Sequence, residues 1–352
     1  MESHPLIAAL SLFAVAVLAT GAGSQEAPSI PPLPHRLADT GLYVAGSTKE
    51  VRADVLPYTP QYALWSDGAT KRRWLHVPAG AAIDATQPNA WEFPPGTKLW
   101  KEFSHGRPIE TRLIERLPDG SWRFAAYVWN EDGTEATLAP PAGIAVVAAR
   151  GAPNGRYRIP SEADCRACHE GAAVPVLGVG ALQLSPDRDP NAAHFERRKA
   201  NDAGLRELVA RGWLRNLPDA MLRNPPRIAA SSPLERAALG YLHANCGHCH
   251  NDAGAQPPVD LQLAQQALPG ASRSDRVLAS VVGAPSRYRA RGLPAAAPLV
   301  DPGRPASSVL AARMRTRDPH VQMPPLGTEL IDAEGLALIE RWIAHQPRKE
   351  PQ

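Results

Sequence analysis

Cys165-Arg166-Ala167-Cys168-His169 and Cys246-Gly247-His248-Cys249-His250 repeat one arrangement: two cysteines three apart, then a histidine. Two thiols spaced this way can each form a thioether to a vinyl group of one haem, and the histidine that follows lies where its imidazole can bind the iron. No other feature constrains the fold as much, because in a haem domain the porphyrin itself supplies much of the core. The two copies use all four cysteines, so none is left for a disulfide. A zinc site made of two CxxC pairs, or a redox dithiol, has the same cysteine spacing. Neither accounts for the histidine after each pair.

Covalent haem attachment in bacteria takes place outside the cytoplasmic membrane, and the N-terminus agrees with export. Leu6 to Leu18 is a thirteen-residue apolar run, too short to span a bilayer and matched to the core of a secretory signal. Ala22-Gly23-Ser24 offers small residues for cleavage before Gln25, although Met1-Glu2-Ser3-His4 has no Lys or Arg. The expectation is a cleaved signal over 1–24, a periplasmic or otherwise exported location, and a mature chain with no transmembrane helix. No cysteine follows closely enough for a lipid anchor. Residues 25–57 read as a proline-rich, extended lead-in. A net charge of +3 on 352 residues is too small to imply a nucleic-acid surface, and is at most a hint of an acidic redox partner protein.

This length suggests two domains. Over 58–231 the sequence reads as an antiparallel β-domain carrying the first motif and a helical connector. Turn signals at Ser66-Asp67-Gly68, Pro94-Pro95-Gly96, Pro118-Asp119-Gly120 and Asp132-Gly133 separate strand-length runs at 72–77, 97–103, 109–117, 122–129 and 144–149. Aromatics on both alternating faces of 122–129 predict a strand covered on both sides. Tryptophans between Trp65 and Trp129 fill this core, or one or two of them wall a haem face or ligand pocket. Asp67, Lys98, Glu102, Glu131 and Asp132 read as surface or turn residues.

Ser161 is the expected N-cap of a short helix bearing the first motif, and residues 203–213 predict a helix stopped at Gly212. Over 232–352 the sequence reads as helical. Ser232-Pro233-Leu234-Glu235 opens a helix leading into Cys246, and Asp332 caps another running to about His345. Met323, in a proline-stiffened loop before that last helix, is the expected sixth ligand of the haem on His250; its competitor is Met314. For the haem on His169 the sequence offers only His194 and Met221, each with a plainer reading, as a surface histidine and a gap-filling methionine. The two motifs have different flanks throughout, so their haem environments should differ.

Three resemblances bear on these expectations. Residues 233–346, with helices bracketing a CxxCH and a downstream methionine, resemble a class I cytochrome c, which implies His/Met ligation by His250 and Met323. Phe93 to Glu102, followed by strands and then Pro160 to Glu170, resembles the hydroxylamine-oxidising monohaem cytochromes and cytochromes c′-β, in which a β-sheet covers one haem. Leu64 to Arg73, Trp129 to Ala136, the two CxxCH motifs and Met323-Pro324-Pro325, taken in order, resemble a family of secreted bacterial dihaem proteins. The expected fold is α+β, an N-terminal antiparallel β-domain followed by an α-helical class I cytochrome c domain. It would hold two covalent haem c groups on Cys165, Cys168 and His169 and on Cys246, Cys249, His250 and Met323, with His169, His250 and Met323 as iron ligands. Electron transfer is the expected function. The alternatives are a haem enzyme whose first haem is open to a small molecule, and a redox-sensing binding protein.

Overall fold

Alternating side chains between turn-forming Gly, Pro and Asp residues make the first half of the chain extended, and in the computed structural model these runs pair into a sheet. The structure describes residues 30–253, 260–267 and 273–348; the expected signal segment lies outside them. In chain order the strands are β1 (Leu56–Pro57), β2 (Thr70–His76), β3 (Ile83–Asp84), β4 (Lys98–His105), β5 (Arg107–Arg116), β6 (Trp122–Trp129), β7 (Ala136–Leu138), β8 (Ile144–Ala148) and β9 (Arg156–Ile159). There follow α1 (Glu162–His169), α2 (Leu205–Ala210), β10 (Leu214–Arg215), α3 (Asp219–Arg223), α4 (Pro233–Asn245), α5 (Arg273–Val281), α6 (Val309–Met314) and α7 (Ala333–Ala344). Six strands form an antiparallel sheet in the order β1-β2-β4-β5-β6-β7. The protein is thus of mixed α+β class.

The two faces of the sheet do different work. On the outer face Trp74, Trp100, Leu113 and Ala125 stand in one cross-strand row, and Leu37, Leu42, Tyr43 and Val55 pack over them. Trp100 Nε1 donates to Thr40 Oγ1 at 3.0 Å and Tyr127 OH to the Pro34 carbonyl at 3.0 Å. From Leu33 onward, therefore, the expected extended lead-in is the lid of this face, because the outer tryptophans need apolar cover. Glu102, expected at the surface, is 1% exposed and is held by both arms of Arg72 at 2.9 and 2.8 Å. A carboxylate this buried requires such a partner.

On the inner face Leu75, Leu99, Ile114 and Phe124 form the matching row. They belong to a core that continues through Leu182 and Met221 of the connector into Leu239 and Leu242 of α4 and Ile339 and Trp342 of α7, with Cys165 and Cys246 packed against it. Residues on either side of position 231 share this one core. The β10–β3 pairing, parallel and made through Leu214 and Ile83, adds a backbone tie between connector and strands. No helix among the described residues is long and apolar enough to cross a membrane.

Two glycines mark where α4 is crossed most closely. A methyl group on Gly240 would overlap the Tyr62 ring, and one on Gly335 of α7 would overlap the Tyr241 ring of α4. Gly-to-Ala in a free helix interior is favourable by about 1 kcal/mol, whereas overpacking costs ~1–3 kcal/mol. Gly240→Ala should therefore destabilise the protein, lowering its urea midpoint; a raised midpoint would show that Tyr62 yields freely.

Candidate haem-attachment site

Helix α1 begins where the sequence puts its cap. Ser161 Oγ accepts from the Asp164 N–H at 3.1 Å and Asp164 accepts from the Ser161 N–H at 3.0 Å, a reciprocal capping box with Glu162 and Asp164 at the positive end of the helix dipole. The Glu162 N–H also donates to the Pro141 carbonyl, which fixes the helix start beside the sheet. Arg166 pairs with Glu162 and Glu170 and covers the Phe124 ring at 5.4 Å. The His169 ring meets the same phenylalanine, centroids 5.3 Å apart.

His169 Nδ1 lies 2.6 Å from the Pro175 carbonyl. A carbonyl only accepts, so Nδ1 carries the proton and Nε2 presents its lone pair. Orientation of a ligating imidazole through its other nitrogen is what a metal-binding histidine requires. Burial above all pushes His169 down to about 4, with the Pro175 bond opposing and Lys101, Arg112 and His248 adding to the fall. The ring is accordingly neutral near pH 7, as an iron ligand must be.

The second motif follows α4, whose cap is Ser232, its side chain accepting from the Glu235 N–H at 3.1 Å. Cys246 ends the helix, and the next turn closes through N–H bonds of Cys249 and His250 to the Cys246 carbonyl at 3.1 and 2.9 Å. Gly247 is needed for space: a Cβ there would stand 2.6 Å from the His243 carbonyl and 2.9 Å from Ala264 Cα. The segment at 261–267 is fastened behind the motif by Leu263 N–H to the His250 carbonyl and by Gln265 N–H to His243 Nδ1. His248 Nδ1 is buried with no partner among the described residues. Burial first, then Arg313, lowers His250.

The chemistry of these donors fits covalent haem better than the other uses of CxxC. All four cysteines are free and half-buried. Burial, the largest influence on each, raises all four thiols, Cys168 to about 11 and Cys246 to about 12. A redox dithiol needs the opposite shift. Among the described residues no group of three or more His, Cys, Asp or Glu is arranged to hold a bare metal ion.

The methionines separate clearly. Met314 is buried in the core at 6% exposure, while Met323 is half-buried on its loop. Two arginines pin that loop: Arg313 Nε donates to the Val321 carbonyl at 2.8 Å and receives the Met323 N–H on its own carbonyl at 3.1 Å, and Arg317 reaches the Met323 carbonyl at 3.3 Å. Arg313 is also the cation that lowers His250, which links the loop to the second motif.

Neither residue considered for the sixth position on the His169 side is free. Met221 is 1% exposed within the core. His194 Nε2 meets both oxygens of Asp332 at 2.8 and 2.9 Å, its Nδ1 lies 3.2 Å from Glu334, and its ring packs on Trp65 at 4.8 Å. Asp332 is the hub here, accepting also from Tyr241 OH and the Gly335 N–H, both at 2.9 Å. The sequence signalled its helix cap but not this network. Asp67, taken as a turn residue, accepts the backbone N–H groups of Glu329 and Leu330 at 2.9–3.0 Å, so it holds the loop before α7. Trp65 neighbours the second motif through its N–H bond to Asn245 at 2.7 Å, and its buried indole N–H has no partner among the described residues.

Between the motifs the inner sheet face is cationic. Arg73, Lys101 and Arg112 stand in one row. Arg73 is paired with Glu196 and Arg112 with Glu110, but Lys101 has no ion pair among the described residues. Burial pushes its amine well below the usual range, helped by Arg73 and Lys71.

The motifs themselves are neighbours. Asn251 Nδ2 donates to the Gly171 carbonyl at 2.8 Å, the Gly247 carbonyl at 3.0 Å and the His248 carbonyl at 3.1 Å. Cys249 in turn adds to the rise of the Cys168 thiol that burial begins.

Asp332 is held below its usual 3.8: burial pushes it up, but hydrogen bonds from His194, Gly335 and Tyr241 outweigh that. A carboxylate lowered on folding stabilises above 3.8, and its contribution disappears as pH falls through the folded value. Asp332→Ala should cost about 1–3 kcal/mol at pH 7, and the gap from wild type in urea unfolding should shrink on acidification below pH 3.8. A gap independent of pH would remove the ionic role.

No protein-family model matches this chain, and no matching curated protein or solved structure is found for it.

Proposed function

We propose that the chain is an exported dihaem c-type cytochrome whose primary activity is electron transfer. Cys165 and Cys168 would hold one haem, with His169 supplying nitrogen to its iron; Cys246 and Cys249 would hold the other, with His250 and Met323. The observation that carries the reading is the His169 imidazole directly after a CxxC pair, with Nδ1 bound to the Pro175 carbonyl at 2.6 Å, which leaves the Nε2 lone pair for a ligand role. Haem c, when bound, supplies a one-electron couple at each iron. The chain's own part is to orient His169, keep both imidazoles neutral by burial, and hold the Met323 loop with Arg313 and Arg317. Thioether ligation favours the reduced iron and raises the potential, so the second haem suits exchange with a partner protein. Residues 233–346 serve in this reading as a class I cytochrome c module packed on the sheet core.

One observation favours the enzyme reading for the first haem. Met221 is enclosed in the core and both nitrogens of His194 face carboxylates, so neither supplies a sixth ligand. The first iron would then keep a position open to a small molecule, and the second haem would supply or take up the electrons.

Met323→Ala should abolish the thioether-to-iron charge-transfer band and lower one potential, while Met314→Ala keeps the band and costs about 2–5 kcal/mol of stability. Under carbon monoxide the reduced wild type should take up about one equivalent, at the haem that Met323→Ala leaves unchanged. The opposite methionine pattern would move the ligand to Met314, and no uptake would make the first haem a closed carrier.

A further inference from the structure

We infer that the two haem groups act as one electronically coupled pair, and that Asn251 is the residue that clasps them together. This rests on the dihaem reading and adds what that reading leaves open, namely whether the haems are independent carriers at separate ends of the chain or a joint two-electron store.

The argument starts from one amide nitrogen. Asn251 Nδ2 bonds the Gly171 carbonyl, two residues after His169, and the Gly247 and His248 carbonyls inside the second motif. Atoms bonded to one donor at 2.8–3.1 Å lie no more than about 6 Å from one another, which is less than the width of a porphyrin. Asn251 Oδ1 accepts the Ala253 N–H at 2.8 Å, so the carboxamide is oriented with its donor toward the carbonyls. Cys165 and Cys246 both pack against the one apolar core.

Two consequences follow. An electron passes between the haems without crossing to another protein. Reduction of one makes reduction of the other harder, and by linkage the effect is reciprocal. Asn251 touches neither iron nor substrate in this scheme; it is a positioning residue.

Soret circular dichroism of the holoprotein tests this without any turnover, since two nearby haem chromophores give a bisignate couplet and isolated ones a band of single sign. Mass spectrometry after acid denaturation first establishes that two haems are attached; one or none overturns the dihaem reading and this inference with it. With two attached, the wild type should give a couplet that disappears in Cys165→Ala/Cys168→Ala, which retains only the second haem. A single-signed band from the two-haem protein overturns the coupling and leaves the dihaem reading standing. Asn251→Ala should reduce the couplet at least twofold with both haems and the Met323 charge-transfer band retained. Asn251→Asp, which keeps the shape but loses the donor, should behave like Asn251→Ala. An unchanged couplet in both variants removes Asn251 from the clasp.

Discussion

The structure depends on the inner face of one β-sheet being buried by the helices that carry the cysteines. Leu75, Leu99, Ile114 and Phe124 cannot be left in water, and α4, α7 and the connector are what cover them. Burial of this kind is non-directional and scales with apolar area, so alone it would not orient a histidine ring. Orientation comes from polar contacts set into the apolar surface: the Ser161–Asp164 box that starts α1, the Pro175 carbonyl that turns His169, and the close approach at Gly247 that seats the second motif on α4 and Ala264. The apolar core supplies the driving force and these contacts supply the geometry.

Charges inside this arrangement follow a pattern of compensation. Arg72, Arg73 and Arg112 each meet a carboxylate through two hydrogen bonds, a geometry that makes a buried charge tolerable, on the Glu102 side in the first pair. Arg236 approaches Asp187 and Asp189 in the same spirit at the connector. Lys101 breaks the pattern, and it does so between two arginines on the strand row that faces His169 and His248. Its amine reduces its own cost by favouring the neutral form. Arg73 and Arg112 keep that row cationic, while burial favours loss of the Lys101 proton.

Much of the local structure is legible in the sequence alone. The runs at 97–103, 109–117 and 122–129 appear as β4, β5 and β6, because a period of two and the flanking Gly and Asp turns are properties of neighbouring residues. The caps at Ser161, Ser232 and Asp332 were legible for the same reason, each acting on an N–H three residues away. The lead-in was not: Leu37 and Leu42 are fully buried, yet nothing in a proline-rich stretch says that tryptophans on another strand row await cover. Glu102 misled in the same way, since a charged residue in a strand looks solvated until its partner is known.

The amino-acid sequence by itself determined the cysteine–histidine spacing, the helix starts and the strand periodicity, all of which operate within a few residues of chain. Only the tertiary structure decided that His194 serves Asp332 from 138 positions away and that Asn251 reaches Gly171 across 80. Only the folded chain placed Met314 in the core and left Met323 on a pinned loop. The physical reason is that packing chooses which distant side chains meet, by excluding water from whichever surfaces fit, and a hydrogen bond formed in that way leaves no mark on the residues beside it in sequence.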